Sequence, residues 1–192
     1  MLGLSLAACR PLFTRWAGYA WDLALLAVCL PILHQGGLWV RLAPQWHWLP
    51  AYLVAAGLIF LSSVLLTTAQ PRHYLKRVAV AWRTAPPARQ LSWGLLAATT
   101  AGYEELIWRV VVQSLLMLVL PVLVAVALTS LLFTLWHRHR TGNSVWLGAE
   151  LFGFSMIAGG LMVATNDPLS AVVAHLVRNH LVYMAAYSHG RS

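Results

Sequence analysis

Residues 145–164 read VWLGAELFGFSMIAGGLMVA, and Glu150 is the single charged side chain among them. A helix rises about 1.5 Å per residue, so this stretch measures about 30 Å, the thickness of the hydrocarbon core of a bilayer. Comparable apolar stretches recur along the whole chain and leave no room for a soluble domain. The sequence therefore predicts an all-α polytopic transmembrane helix bundle that forms one integral membrane domain over residues 1–192.

The composition supports the same class. Of the 192 residues, 60% are hydrophobic and 9% are charged, whereas a soluble domain has about 25% charged residues. The net charge of +8 comes from 13 basic and five acidic residues, but no Lys/Arg tract is present, so we interpret the charge as membrane topology rather than nucleic-acid binding. The two cysteines, Cys9 and Cys29, have no metal-ligand spacing and suggest no disulfide framework.

About six spans follow from the apolar stretches and the breaks between them. The third stretch is too long for one perpendicular span, so it is either tilted or begins with interfacial turns that reach Thr100. The predicted spans cover residues 16–38, 49–68, 91–120, a segment from Pro121 to His137, 145–164 and 168–187.

The orientation follows from the basic residues. Residues 71–89 carry five of them around a Pro-Pro break, which predicts a cytoplasmic loop with room for a surface-lying helix. Placing both the N- and C-termini in the cytoplasm puts ten basic residues inside and only Arg41 outside, while Arg109 and Arg178 lie within spans. The inverted orientation would break this asymmetry.

Ionisable side chains within the spans cost several kcal/mol unless they are paired or hydrated, so their positions point to function. In the sequence Glu104-Glu105-Leu-Ile-Trp-Arg109, Glu105 and Arg109 are four residues apart and can pair on one helix face. The side chain of Glu104 points about 100° away from that of Glu105. One carboxylate can therefore be structural while the other faces a cavity.

Two further clusters lie on other predicted helices. Phe133 and His137 share a face at the end of the fourth span, and His175 and Asn179 share a face of the sixth. Each cluster alone is compatible with an interfacial histidine or with a structural hydrogen-bonded pair. Together with Glu104 they offer a carboxylate, two imidazoles and an amide, which suffice to activate water against a peptide carbonyl.

The three clusters read Glu-Glu-x-x-x-Arg, Phe-x-x-x-His and His-x-x-x-Asn in this order. They resemble the motifs of the CAAX prenyl endopeptidase type II and bacteriocin-processing (CPBP, Abi) family of intramembrane glutamic proteases. The resemblance covers residues 91–188, the family's catalytic core, and all motif positions agree. It implies that each motif lies on its own transmembrane helix.

The resemblance also implies a role for each motif residue. Glu104 would be the base that activates water, and His137 would assist in proton transfer or in positioning the water. His175 and Asn179 would form the oxyanion hole. The supporting residues would be Glu105, Arg109 and Phe133.

A metal is the main mechanistic alternative, because a carboxylate with two histidines is also a plausible zinc set. No His-Glu-x-x-His is present in the sequence to give two histidine ligands on adjacent turns. We therefore expect a glutamate mechanism that needs neither a metal nor another cofactor.

The resemblance implies a peptide or protein-tail substrate with a membrane-associated segment: a prenylated tail, a leader peptide or a C-terminal sorting segment. The expected location is the inner (plasma) membrane of a bacterium, with the lipid bilayer as partner and no nucleic acid. Two other functions stay open, a non-catalytic immunity or assembly protein and a small proton-coupled transporter. Asp22 and Glu150 are expected to be structural, and either can pair with Arg178.

Overall fold

The computed structural model describes residues 46–67, 71–137 and 144–189, together with single helical positions at 20, 24, 27 and 31. All regular structure in these ranges is helical. The predicted first span, like Asp22 and both cysteines, lies outside the described residues apart from those single positions. The long helices are α1 (Leu49–Thr67), α2 (Pro71–Thr84), α3 (Pro87–Glu105), α4 (Val122–Trp136), α5 (Val145–Thr165) and α6 (Leu169–His189).

Local sequence explains where these helices begin and end. Pro86 has φ −57° and ψ 145°, and it separates α2 from α3, whose first residue is also a proline. Pro121 precedes α4 in the same extended conformation. Ser144 caps α5 by accepting a hydrogen bond from the Leu147 amide at 3.3 Å, and Asn166 ends this helix in the left-handed conformation with φ 51°. The predicted boundaries at these positions are confirmed to within a few residues.

The chain stays helical after α3, first as a π-helical segment, Leu106–Gln113, and then as one α-helical turn, Ser114–Met117. The predicted continuous helix over residues 91–120 is thus confirmed, although its wide interior turns were not foreseen. In these turns the Ser114 hydroxyl donates to the Arg109 carbonyl, five residues back, at 3.2 Å. Such π-helical turns frequently accompany functional sites.

α6 is the central helix of the described structure, and it packs against α1, α2, α3 and α5. Small side chains are fully buried on both α3 and α6: Ala97 and Ala101 on α3, and Ala171 and Ala174 on α6. Small residues let two helix backbones approach closely.

A buried carboxylate joins the start of α6 to α1. The Tyr52 hydroxyl donates to Asp167 Oδ2 at 2.8 Å, and the Leu169 amide donates to Asp167 Oδ1 at 2.9 Å. Asp167 is fully buried. One residue therefore caps α6 and holds α1 beside it.

In the described part of the chain, Val145–Thr165 is the one helix that is both long and apolar enough to cross a membrane, and Leu49–Leu61 and Val122–Trp136 form shorter apolar helices. Large apolar side chains are exposed on the outer faces of other helices, among them Leu53 and Leu58 on α1 and Leu95 on α3. Such faces are typical of contact with lipid.

Candidate active site

Three helices bring the three predicted motifs to one point. Glu104 lies at the end of α3, His137 directly follows α4, and His175 lies in the second turn of α6. Glu104 Oε2 is 3.4 Å from His137 Nε2 and 3.6 Å from His175 Nε2. The three residues are 7%, 2% and 2% exposed, respectively. We call this group the Glu-His-His centre.

The His137 ring is oriented by its own helix. Its Nδ1 lies 2.8 Å from the Phe133 carbonyl oxygen. A carbonyl can only accept a hydrogen bond, so Nδ1 must carry the proton, and Nε2 of the neutral ring is an acceptor. This acceptor is the atom that faces Glu104.

The His175 ring is oriented by Glu105. Its Nδ1 lies 2.8 Å from Glu105 Oε1, and the other oxygen of this carboxylate accepts a hydrogen bond from Arg109 Nε at 2.7 Å. Beside the guanidinium Glu105 is a carboxylate that only accepts, so His175 Nδ1 is also the protonated nitrogen. The motif spacing had predicted only the pairing of Glu105 with Arg109, and the contact with His175 was missed.

Glu104 Oε2 and the Nε2 atoms of the two histidines converge in the Glu-His-His centre. Each Nε2 atom accepts a hydrogen bond when its ring is neutral and donates one when its ring is protonated. A water molecule can donate one hydrogen to the carboxylate and the other to a neutral ring, and the carboxylate can then take its hydrogen as a proton. The centre thus has the chemistry required to generate a nucleophilic water.

The ion pair of Glu105 and Arg109 is completely buried, with both side chains 0% exposed. Arg109 Nη2 also donates to the Ser155 hydroxyl on α5 at 2.9 Å. One turn further along, Gln113 Nε2 donates to the Gly159 carbonyl at 3.2 Å. The π-helical segment is therefore tied to α5 at two successive levels. Ser155 was not predicted, although a serine inside an apolar span was a signal available in the sequence.

Aromatic rings enclose one side of the centre. The centroid of Phe133, which is 1% exposed, lies 4.2 Å from that of His137 and 6.3 Å from that of His175. Phe154, which sequence reasoning missed, packs its ring edge-on against His175 at 4.8 Å, and Trp108 packs against Phe133 at 5.7 Å. These rings fix the orientation of both imidazoles and exclude bulk water from this side.

Asn179 is half-buried on α6, one turn after His175. Its side chain forms no hydrogen bond with the part of the chain that the structure describes. The structure thus brings six of the seven predicted residues into one network, Glu104, Glu105, Arg109, Phe133, His137 and His175, and places Asn179 beside it.

A second ion pair lies next to the centre. Arg178 donates to both carboxylate oxygens of Glu150 at 2.7 to 3.0 Å, and its guanidinium lies 5.0 Å from the centroid of the Phe154 ring. Glu150 is one of the two acids that the sequence offered to Arg178, and this pairing is confirmed; the other acid, Asp22, lies outside the described residues. The Phe154 ring contacts both this pair and His175.

Across residues 46–67, 71–137 and 144–189, the structure contains no group of three or more His, Cys, Asp or Glu side chains arranged to hold a metal ion.

Comparison with known proteins identified one family. Residues 87–181, about half of the chain, match the family model described as type II CAAX prenyl endopeptidase Rce1-like. The matched range includes all three motifs, and the family predicted from them is confirmed. No curated protein and no solved structure matches the chain.

Proposed function

The chain belongs to the Rce1-like family of type II CAAX prenyl endopeptidases, and we propose that it is an intramembrane endopeptidase that hydrolyses a peptide bond near the membrane. Family membership implies a membrane protein. The observation that carries the proposal is the buried Glu-His-His centre, in which Glu104 Oε2 lies 3.4 and 3.6 Å from two imidazole nitrogens.

In the proposed reaction Glu104 is the general base. It takes a proton from the bound water while the water oxygen attacks the carbonyl carbon of the peptide bond. His137 Nε2 positions this water by accepting its other hydrogen. When the tetrahedral intermediate collapses, the C–N bond breaks and the departing amine receives the proton that Glu104 had taken.

His175 and Asn179 are the proposed donors to the oxyanion. Because His175 Nδ1 already donates to Glu105, the ring can donate through Nε2 only as an imidazolium. The Glu105 carboxylate lies in contact with that ring and stabilises the imidazolium. Asn179, one turn further on α6, supplies the second donor when a substrate carbonyl lies between the two side chains. We assign Glu105, Arg109 and Phe133 the role of holding these groups in place.

The proposed enzyme needs no metal, since one carboxylate and two imidazoles supply both the base and the electrostatic stabilisation. The proposed substrate is a peptide or a protein tail with a membrane-associated segment. The name of the family favours a tail of the CAAX type over a leader peptide or a C-terminal sorting segment.

The proposed topology has six spans with both termini in the cytoplasm, in the inner membrane of a bacterium. Two observations support it: the basic residues between α1 and α3, and the apolar side chains exposed on α1, α3 and α4.

The test is cleavage of a panel of membrane-tethered peptides, including prenylated tails, by the purified protein in detergent. Glu104→Gln keeps the size of the side chain and removes the base, so we expect its cleavage rate to fall by at least about a hundredfold. His175→Ala should also be inactive. His180→Ala is its matched control, because this histidine lies on the same helix and faces Gly94 on α3.

Cleavage rates are compared only among variants whose melting temperature equals that of the wild type. Each rate is measured with and without a chelator. Full cleavage by Glu104→Gln would refute the assignment of the base. Activity that is lost on chelation and restored by zinc would refute the metal-free mechanism.

A further inference from the structure

Helix α2 presents two different sides. It reads PRHYLKRVAVAWRT and contains no acidic residue. One side packs against α6 and α1: Ala81 is fully buried, and the Tyr74 ring lies 5.7 Å from that of Phe60 on α1. The opposite side is exposed and basic.

The exposed side carries two stripes. At about 100° per residue, the directions of Arg72, Lys76 and Arg83 fall within about 40° of one another, and all three residues are exposed. Leu75 and Trp82 point within about 20° of each other, about 90° round the helix from the cations. Their exposed fractions are 44% and 62%. An apolar stripe therefore runs along the helix between the cationic stripe and the packed side.

We propose that α2 binds an anionic phospholipid at the surface of the membrane. The phosphate would lie among Arg72, Lys76 and Arg83, and the acyl chain would run along Leu75 and Trp82. A basic helix with an apolar flank is suited to the boundary between headgroups and acyl chains, and exposed tryptophans are enriched at that depth.

Charge and shape together favour a lipid over an acidic peptide. An acidic peptide or free phosphate would use the three cations, but neither would cover an exposed tryptophan and leucine beside them. A phospholipid covers both stripes at once, because its phosphate and its acyl chain are joined in one molecule.

The proposed lipid site lies on a helix that packs against α6, and α6 carries His175 of the Glu-His-His centre. Burial raises the pKa of the Tyr74 phenol above its ordinary value, and the positive charges of Arg178 and Arg77 oppose the rise. α2 also packs directly against α6, on which Arg178 lies three residues after His175. A lipid that holds α2 against α6 would stabilise the helix that carries His175.

The test uses the full-length protein in a neutral detergent, titrated with short-chain phosphatidylglycerol or, as the neutral match, phosphatidylcholine. Bound lipid is counted by native mass spectrometry, and the melting temperature is followed in parallel. We expect tighter binding of phosphatidylglycerol and a larger rise in melting temperature. Each basic residue near a lipid surface contributes about fivefold in affinity. The triple variant Arg72→Gln/Lys76→Gln/Arg83→Gln should therefore bind phosphatidylglycerol up to about a hundredfold more weakly.

Two controls separate charge from shape. Arg72→Lys/Arg83→Lys keeps the charge and should retain most of the affinity for phosphatidylglycerol. Trp82→Ala should weaken the binding of phosphatidylglycerol and of phosphatidylcholine to a similar extent. These side chains are exposed, so the substitutions should leave the fold intact. Melting temperatures without lipid check that each variant folds. If the triple variant does not fold, the single variants Arg72→Gln and Arg83→Gln replace it. None of these readouts depends on cleavage, so they stand apart from the proposed peptidase activity.

Three outcomes would overturn the proposal. The first is equal affinity of the wild-type protein for the two lipids, and the second is unchanged phosphatidylglycerol binding by the neutralised variants. The third is an acidic peptide, hexaglutamate, that displaces phosphatidylglycerol and binds Trp82→Ala as well as it binds the wild type, which would assign the surface to a protein partner.

Discussion

Replacing Glu105 by glutamine should destabilise the protein strongly, although the two side chains have nearly the same size. The Glu105 carboxylate accepts hydrogen bonds from Arg109 Nε at 2.7 Å and from His175 Nδ1 at 2.8 Å. Both it and Arg109 are 0% exposed. Glutamine removes the charge that balances the guanidinium, and its amide oxygen cannot accept both hydrogen bonds in the same way.

The size of the effect follows from burial. Removing one partner of a buried ion pair costs about 3–5 kcal/mol, because the remaining charge is held away from water. For a chain of this size, about 1 kcal/mol shifts the melting temperature by roughly 2–4 °C. We therefore expect Glu105→Gln to melt roughly 6–20 °C below the wild type in the same detergent.

The matched control is Glu150→Gln, which makes the same chemical change in the second ion pair. Arg178 is 15% exposed there, so water can solvate the remaining cation and the loss should be smaller. In Glu105→Gln/Arg109→Gln neither charge of this ion pair is left without its partner, and the new amide nitrogen takes the place of Arg109 Nε. The double variant should lose about 2–3 kcal/mol less than the sum of the two single variants.

Thermal unfolding is followed by intrinsic fluorescence at matched protein and detergent concentrations. Two results would show that burial does not control how much these ion pairs stabilise the protein. One is a melting temperature of Glu105→Gln within about 2 °C of the wild type, and the other is a larger decrease in melting temperature for Glu150→Gln than for Glu105→Gln.

Three further results are expected. A Cβ at Gly159 would lie 2.6 Å from Gln113 Oε1, so Gly159→Ala should cost about 1–3 kcal/mol, whereas Gly160→Ala, with nothing within 4 Å, should leave the melting temperature unchanged or raise it. Tyr52→Phe removes a hydrogen bond to buried Asp167 and should cost about 1–3 kcal/mol; an unchanged melting temperature would contradict the capping account. Cleavage of a tethered peptide should be insensitive to chelators, and stimulation by added zinc would count against the proposed chemistry.

The sequence predicted the parts of the structure that depend on neighbours along the chain. The breaks at Pro86 and Pro121 follow from the missing amide hydrogen and the fixed φ of proline. The pair of Glu105 and Arg109 follows from the helical period. The three motifs also predicted the family, since each needs only a spacing of four or five residues.

Contacts between distant residues could not be predicted in this way. The contact of His175 with Glu105 spans 70 residues, and that of Tyr52 with Asp167 spans 115. Such contacts depend on how each helix is rotated about its axis. The π-helical segment changes that rotation directly after α3, because its wider turns shift later side chains away from the 3.6-residue period. The contact of Arg109 with Ser155 was missed for this reason.

The buried ion pair also has a consequence for how the chain is made. Arg109 follows Glu105 by four residues, but His175 follows it by 70. At about 5–20 residues per second, a ribosome needs about 4–14 seconds to make that interval. During this time the carboxylate can already be balanced by Arg109, because a pair within one helix forms as soon as the helix does. In the proposed six-span topology, Arg109 would therefore be the counter-ion of Glu105 while α3 enters the bilayer, before the last helix has been synthesised.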